Sequence, residues 1–243
     1  MNIHVLNIQQ ETLLHQFDRG CLFTPNIDHF VLLQHDKEFY EAYSNAEYVV
    51  LDSQVIYLLF KLLGRPFTSK IAGADFFPMF CEYHKDHEKI KVFVLGGIGD
   101  VSEKVRDKLN ARAGRPIVVG AYSPPINFDT NENECAAILS LINSTDANVL
   151  AVGLGTPKQE KWIYRNRKLL TRITMFMGVG ATLDFISGKQ KRAPRWIQNI
   201  GFEWLFRLVH NKRLMKRYLM RDIQFFYYLI KDLLRLYRNP FET

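Results

Sequence analysis

Two textures alternate along the chain. Short apolar runs rich in Val, Ile and Phe, bounded by Gly, Pro, Asn or Asp, predict strands near residues 3–8, 21–24, 48–51, 91–95, 116–120, 147–152 and 173–179. Between them apolar residues return at three- and four-residue spacing, which predicts helices near 26–35, 53–63, 75–86, 101–112, 132–143 and 157–169. This order predicts an α/β fold, a largely parallel Rossmann-like sheet with helices on both faces. After Gly188 the texture changes to two helical stretches, 195–209 and 212–238. The predicted organisation is therefore a body of residues 1–190 and a C-terminal helical appendage of residues 191–243.

With 243 residues, 47% hydrophobic and 23% charged, the chain can bury a substantial core as one large domain or two small lobes. Cys21, Cys81 and Cys135 lie far apart, with no CxxC and no neighbouring His pair, so neither a disulfide framework nor a zinc site is expected. They read as buried thiols in a reducing compartment. The opening "MNIHVLNIQQ" has no basic n-region, and no apolar run approaches the ~18 residues of a membrane span, so a cytoplasmic location is expected. Charge is more telling. Residues 189–243 hold 13 Lys and Arg against 4 Asp and Glu, a net of +9, whereas residues 1–188 hold 19 against 21, a net of −2. The basic tail asks for a polyanionic partner: nucleic acid, an anionic membrane surface or substrate phosphates.

Ligands of open α/β sheets bind outside the carboxyl ends of the strands, so the strand ends hold the candidate chemistry. "ANVLAV" (147–152) runs into "GLGTPKQEKWI" (153–163), a strand, a glycine turn and a helix start with Thr156 as N-cap and Pro157 at the first helical position. Such a corner is a ready anion site or an ordinary tight turn. "VFVLGGIGD" places Gly96, Gly97 and Gly99 in half of a dinucleotide fingerprint, with Ser102 where the third glycine would stand. The acidic residue expected about 20 residues on is missing from "IVVGAYSPP", which disfavours dinucleotide redox chemistry. A mononucleotide phosphate site or a plain turn remains, and Tyr122 offers either a face for a base or a packed loop residue. "CLFTPNIDHF" ends a strand at Thr24 and caps a helix with Asn26 or Asp28; "EYVVLDSQV" ends one at Asp52, which is a general base or merely an N-cap. With no DxD pair and no His/Asp/Glu cluster at ligand spacing, neither a metal nor another cofactor is expected.

Taken together, "TPN" (24–26), Asp52, "AGAD" (72–75), "GLGTPKQEKW" (153–162) and "GVGATLDFISGKQKRAPRWIQNIGFEWLFRL" (178–208) resemble, in order and spacing, the WecG/TagA/CpsF family of bacterial glycosyltransferases. The resemblance runs from the first strand to about Leu219. It implies metal-independent, inverting transfer of a sugar, often of the N-acetylmannosamine type, from a UDP-sugar to a polyprenyl-diphosphate-linked saccharide at the inner face of the cytoplasmic membrane. It also implies Asp52 as general base, Thr24 in the same pocket, Gln159 on the donor, and Asp184 near the uracil base. Asn26 is expected to line that pocket, and the corner at Gly153 and Gly155 to let a substrate phosphate approach closely. Lys70 stands where the family usually has arginine, which exchanges a bidentate fork for a point charge. Without a metal, the leaving diphosphate needs cations, for which Lys70, Arg207, Arg213 and Arg217 are the candidates, the resemblance favouring Arg207 and Arg217.

Beyond Asp222 the tail is less typical of the family. If residues 212–238 form one helix, Arg213, Arg217 and Arg221 align with Lys231, Arg235 and Arg238, opposite a face of Leu219, Ile223, Phe226, Ile230 and Tyr237. That predicts a basic amphipathic helix whose apolar face either lies at a membrane interface or packs on the body or another subunit; if it lies at the membrane, deletion from Asp222 onward would spare turnover on a water-soluble acceptor. The competing readings are a nucleotide-binding oxidoreductase and a nucleic-acid-binding protein using the basic tail; apolar residues at helical spacing there fit lipid better than nucleic acid. A homo-oligomer is left open.

Overall fold

The computed structural model describes residues 2–210, 221 and 223–242, with only the backbone described at Trp204, Arg207, Leu208 and His210. Its centre is a sheet of six parallel strands in the order β2-β1-β6-β5-β3-β4: β1 Gly20–Phe23, β2 Tyr48–Val49, β3 Val92–Gly96, β4 Val118–Tyr122, β5 Val149–Gly153 and β6 Met175–Gly178. The unbroken apolar runs of β3, β5 and β6 follow from burial on both faces. Phe93, Leu95, Leu150, Val152 and Phe176 enter one core, and Val92, Val94, Val149, Ala151 and Met175 enter the other. The predicted first strand at 3–8 contributes only an isolated parallel bridge between Leu6 and Val50.

The helices are α1 Gln10–Gln16, α2 Ile27–Leu32, α3 Lys37–Ser44, α4 Gln54–Leu62, α5 Gly73–Tyr83, α6 Val101–Ala113, α7 Glu132–Asn143, α8 Lys158–Asn166, α9 Thr182–Ser187, α10 Arg195–Asn199, α11 Glu203–His210 and α12 Ile223–Leu233. Three of them, α1, α3 and α9, were not among the predicted elements. They are short, and α3 is started by a single Asp36 cap on Phe39 N–H at 3.1 Å. In the appendage, the predicted helix 195–209 is split at Gly201, whose φ of +84° is open to glycine at little cost.

The predicted 212–238 helix is also corrected. Within the described residues its helical part ends at Leu233, and Arg235 takes a left-handed φ of +57°, so Arg235 and Arg238 leave the helix instead of extending a basic stripe. The last residues fold back on the body, Tyr237 Oη donating to Gln34 Oε1 at 2.6 Å and Phe241 packing on Tyr40 at 5.2 Å. α12 docks on α2 through buried Phe225 and Leu229, with the Phe225 and Phe30 rings 5.9 Å apart. Arg213 and Arg217 lie outside the described residues.

Candidate active site

A pocket of about 600 Å³ opens at the carboxyl ends of β1, β2, β5 and β6. Thr24 closes β1 and Asp52 follows β2; Gly155, Thr156 and Gln159 form the β5 corner, and Gly178 to Thr182 the β6 corner. Lys70, Arg192 and the first turn of α5 make one wall, and Glu203, Ile223 and Phe226 bring the appendage into another. Sequence-distant residues meet here because parallel strands deliver all their carboxyl ends to one edge of the sheet.

Local chemistry fixes the floor. Asp52 N–H donates to Pro25 O at 3.2 Å, tying the ends of β1 and β2 together. The α4 cap is Ser53, whose Oγ accepts from Ile56 N–H at 3.2 Å, and Asp52 before it stands half-buried in the pocket. Asn26 does both jobs considered for it: its Oδ1 accepts from Asp28 N–H at 3.0 Å as the α2 cap, and it lines the pocket. Gly73 lets α5 sit on Thr24, since a Cβ there would lie 3.1 Å from Thr24 Oγ1. Ala72, the residue before α5, provides no side-chain cap, and it lines this wall with Gly73 and Ala74 of the first turn.

Thr156 does not cap α8. Pro157 holds that position, and Thr156 Oγ1 instead lies 2.7 Å from His29 Nε2. Gln159, 4% exposed, donates from Nε2 to Glu160 Oε1 at 2.8 Å and accepts at Oε1 from Gly180 N–H at 3.0 Å. Glu160 is itself buried, and burial pushes its carboxyl up to about 7. The glycine corner has two separate reasons. A Cβ at Gly153 would lie 2.5 Å from Leu183 Cδ1, so that residue serves packing; Gly155 borders the pocket with open space around it.

Arg192, absent from the sequence candidates, lines the pocket. Both of its terminal nitrogens engage the Asp75 carboxylate, Nη2 at 2.7 Å from Oδ2, and Nε lies 3.8 Å from Glu203 Oε1. Burial works against its charge while Asp75, Glu203 and Asp52 hold it protonated. Its signal was present in "GKQKRAPRW", where it is one of several basic residues and nothing local singles it out. His29 and Glu160 were missed for a related reason: an isolated histidine on an amphipathic helix and a glutamate in a helix's first turn read as ordinary.

Of the sequence candidates, Thr24, Asn26, Asp52, Lys70, Gly155 and Gln159 line one pocket. Gly97, Gly99, Tyr122 and Asp184 are not among its lining residues. Tyr122 Oη donates to Glu134 Oε1 at 2.7 Å on α7, and that bond raises its pKa. The glycine turn after β3 satisfies itself: Ser123 Oγ accepts from Ser102 N–H at 3.2 Å and donates to Gly96 O at 3.0 Å. A Cβ at Gly97 would lie 2.4 Å from Val101, a packing reason for that glycine. Asp184 accepts from Gln190 Nε2 at 3.2 Å, while its neighbours Thr182 and Phe185 line the pocket. Arg207 belongs to α11 with its side chain undescribed, and Arg213 and Arg217 lie outside the described residues.

Among the described residues no group of three or more His, Cys, Asp or Glu could hold a metal ion, and no helix is long and apolar enough to cross a membrane. Residues 1–239 match the model of the glycosyl transferase WecG/TagA/CpsF family.

Proposed function

Since the chain belongs to the glycosyl transferase WecG/TagA/CpsF family, it is a glycosyltransferase of polysaccharide synthesis, and we propose that it inverts the anomeric centre of a UDP-sugar without a metal. The proposed donor is a UDP-sugar of the N-acetylmannosamine type and the acceptor a polyprenyl-diphosphate-linked saccharide. One observation carries the reading: Asp52, at the carboxyl end of β2, shares a pocket of about 600 Å³ with Thr24 and Gln159.

In the proposed step an acceptor hydroxyl beside Asp52 attacks the anomeric carbon from the face opposite UDP. Its proton passes to the Asp52 carboxylate, and the bond to the diphosphate oxygen breaks with its electron pair leaving on UDP. Lys70, Arg192 and the N-terminus of α5, whose Gly73 and Ala74 line the pocket, are proposed to stabilise the charge that develops. Arg207, Arg213 and Arg217 are proposed to add to them from the appendage. Thr24, Asn26 and Gln159 orient the donor, and Gly155 leaves room at the β5 corner. The uracil is proposed to lie along Thr182 and Phe185, next to Asp184 in the chain. Gly97, Gly99 and Tyr122 are given no part in this step, because none of them lines the pocket.

A lipid-linked acceptor requires access from a membrane surface. Trp196, Leu205, Val209 and Ile230 are exposed on α10, α11 and α12, of which α11 and α12 also line the pocket, and exposed Lys191 and Arg195 precede Trp196 in a segment of net positive charge. This supports peripheral attachment to the inner face of the cytoplasmic membrane. The test is UDP release from a panel of UDP-sugars with a prenyl-diphosphate saccharide as acceptor, and product anomeric configuration by NMR. No UDP release from any donor, or retention at the anomeric carbon, refutes the reading.

A further inference from the structure

Behind the pocket floor runs a chain of buried polar side chains. Tyr43 Oη of α3 is 2.6 Å from His29 Nδ1, and His29 Nε2 is 2.7 Å from Thr156 Oγ1. Thr156 Oγ1 donates to Glu160 Oε1 at 3.5 Å, the longest link, and Gln159 Nε2 donates to the same oxygen at 2.8 Å. Glu160 is 1% exposed, and its Oε2 has no hydrogen-bond partner among the described residues. A buried carboxyl with so few donors is costly to keep, where a glutamine of the same shape would fill the space without the charge.

The donors and acceptors run in one direction. Tyr43 donates to His29 Nδ1, which leaves the imidazole neutral with its proton on Nε2. That proton is donated to Thr156 Oγ1, whose hydroxyl donates to Glu160. The chain ends on Glu160 Oε1, which accepts from both Thr156 and Gln159. Run the other way, the chain would leave the hydrogen of the buried Tyr43 hydroxyl without an acceptor among the described residues. Gln159 is held by the same logic. A carboxylate can face only its NH₂, Gly180 N–H can face only its Oε1, and one N–H and one lone pair remain for the pocket.

We propose that ionised Glu160 is a positioning residue for the transfer. At the end of the Tyr43–His29–Thr156 chain it fixes the Gln159 amide and the Thr156 hydroxyl against the pocket, so that turnover switches on as Glu160 loses its proton. Its kinetic arm rests on the glycosyltransferase reading above. The groups facing Glu160 are Asp28 and His29 from α2 and Tyr43 from α3. Arg221 of the tail engages Asp28 at 3.1 Å, while Lys158 and Lys161 of α8 pair outward with Asp129 and Asp36. Burial is the largest influence on Glu160, and Asp28 adds to it against the donors Gln159 and Thr156, which places the carboxyl at about 7. Turnover is therefore low below that pH and rises through it.

The experiment measures kcat and KM for UDP release across about pH 5.5 to 9 in wild type, Glu160→Gln and Thr156→Val, together with ¹⁵N NMR of His29 in the full chain. Wild-type kcat is expected to rise through about pH 7. Glu160→Gln should lose that rise and about 10- to 100-fold in kcat with donor KM within about threefold of wild type. Thr156→Val, which removes a donor to the carboxylate, should move the midpoint upward. His29 should carry its proton on Nε2, with Nδ1 accepting from Tyr43. A wild-type pH profile in Glu160→Gln, a loss confined to KM, an unmoved midpoint in Thr156→Val, or a His29 proton on Nδ1 overturns the proposal. If Glu160→Gln does not fold, Thr156→Val and the His29 signal decide. If the wild type releases no UDP from any sugar nucleotide, the functional reading fails by itself, and the His29 signal still decides this one.

Discussion

Phe225→Ala separates a docked tail from a free one. Phe225 is 0% exposed on the side of α12 that meets α2, with Leu229 beside it at 4% and the Phe30 ring 5.9 Å away. Truncating a fully buried phenylalanine removes roughly 3–5 kcal/mol, and at this chain length each kcal/mol shifts Tm by about 2–4 °C. The expected fall in Tm is therefore roughly 6–20 °C by differential scanning calorimetry. Ile230→Ala, on the same helix but 56% exposed, should stay within about 0.5 kcal/mol of wild type. Loosening α12 also disturbs Ile223 and Phe226 at the pocket, so acceptor KM should rise in Phe225→Ala at temperatures where it is folded. For the same reason deletion from Asp222 onward should impair turnover even on a water-soluble acceptor, the reverse of what a helix lying at the membrane implies. A Tm loss below about 2 °C in Phe225→Ala would refute the docking of this helix.

Asp52→Asn should lower turnover about 10²- to 10⁴-fold with Tm nearly unchanged, whereas Ser53→Ala should cost about 1 kcal/mol of stability by loss of the α4 cap; turnover within a few-fold of wild type in Asp52→Asn excludes the base. Activity should survive excess EDTA, and loss on chelation with rescue by Mg²⁺ or Mn²⁺ would contradict a metal-independent step. Glu160 also sets a stability trend. Its carboxyl is raised from the usual 4.5 to about 7 in the folded chain, so its contribution is present below pH 4.5 and is lost as pH rises to about 7, roughly 3 kcal/mol in all. Denaturant titrations should accordingly show the stability of wild type falling relative to Glu160→Gln between those pH values, and parallel curves would contradict it.

Much of this protein is written in local pattern. Buried parallel strands need continuous apolar runs, so β3, β5 and β6 are legible as such, and the alternation with amphipathic helices dictates the α/β class. The motif residues Thr24, Asp52 and Gln159 were legible too, because strand ends in such sheets are where polar residues gather. What the pattern left open was which of two roles each took. Asp52 could cap α4 or line a pocket until Ser53 was seen to cap; Thr156 could cap α8 until its hydroxyl was seen on His29; Gly153 could admit a ligand until Leu183 was seen against it. An amphipathic helix has the same sequence whether its apolar face meets lipid or protein, and only the contact of Phe225 with Phe30 decided that one edge of α12 is spent on the body. Arg192 owes its standing to Asp75, 117 residues away along the chain, and Glu160 to Thr156, which reaches His29 127 residues before it. Sequence periodicity reports a residue's face on its own element. Which side chains share a pocket depends on how the parallel strands are ordered, and that is fixed only by tertiary packing.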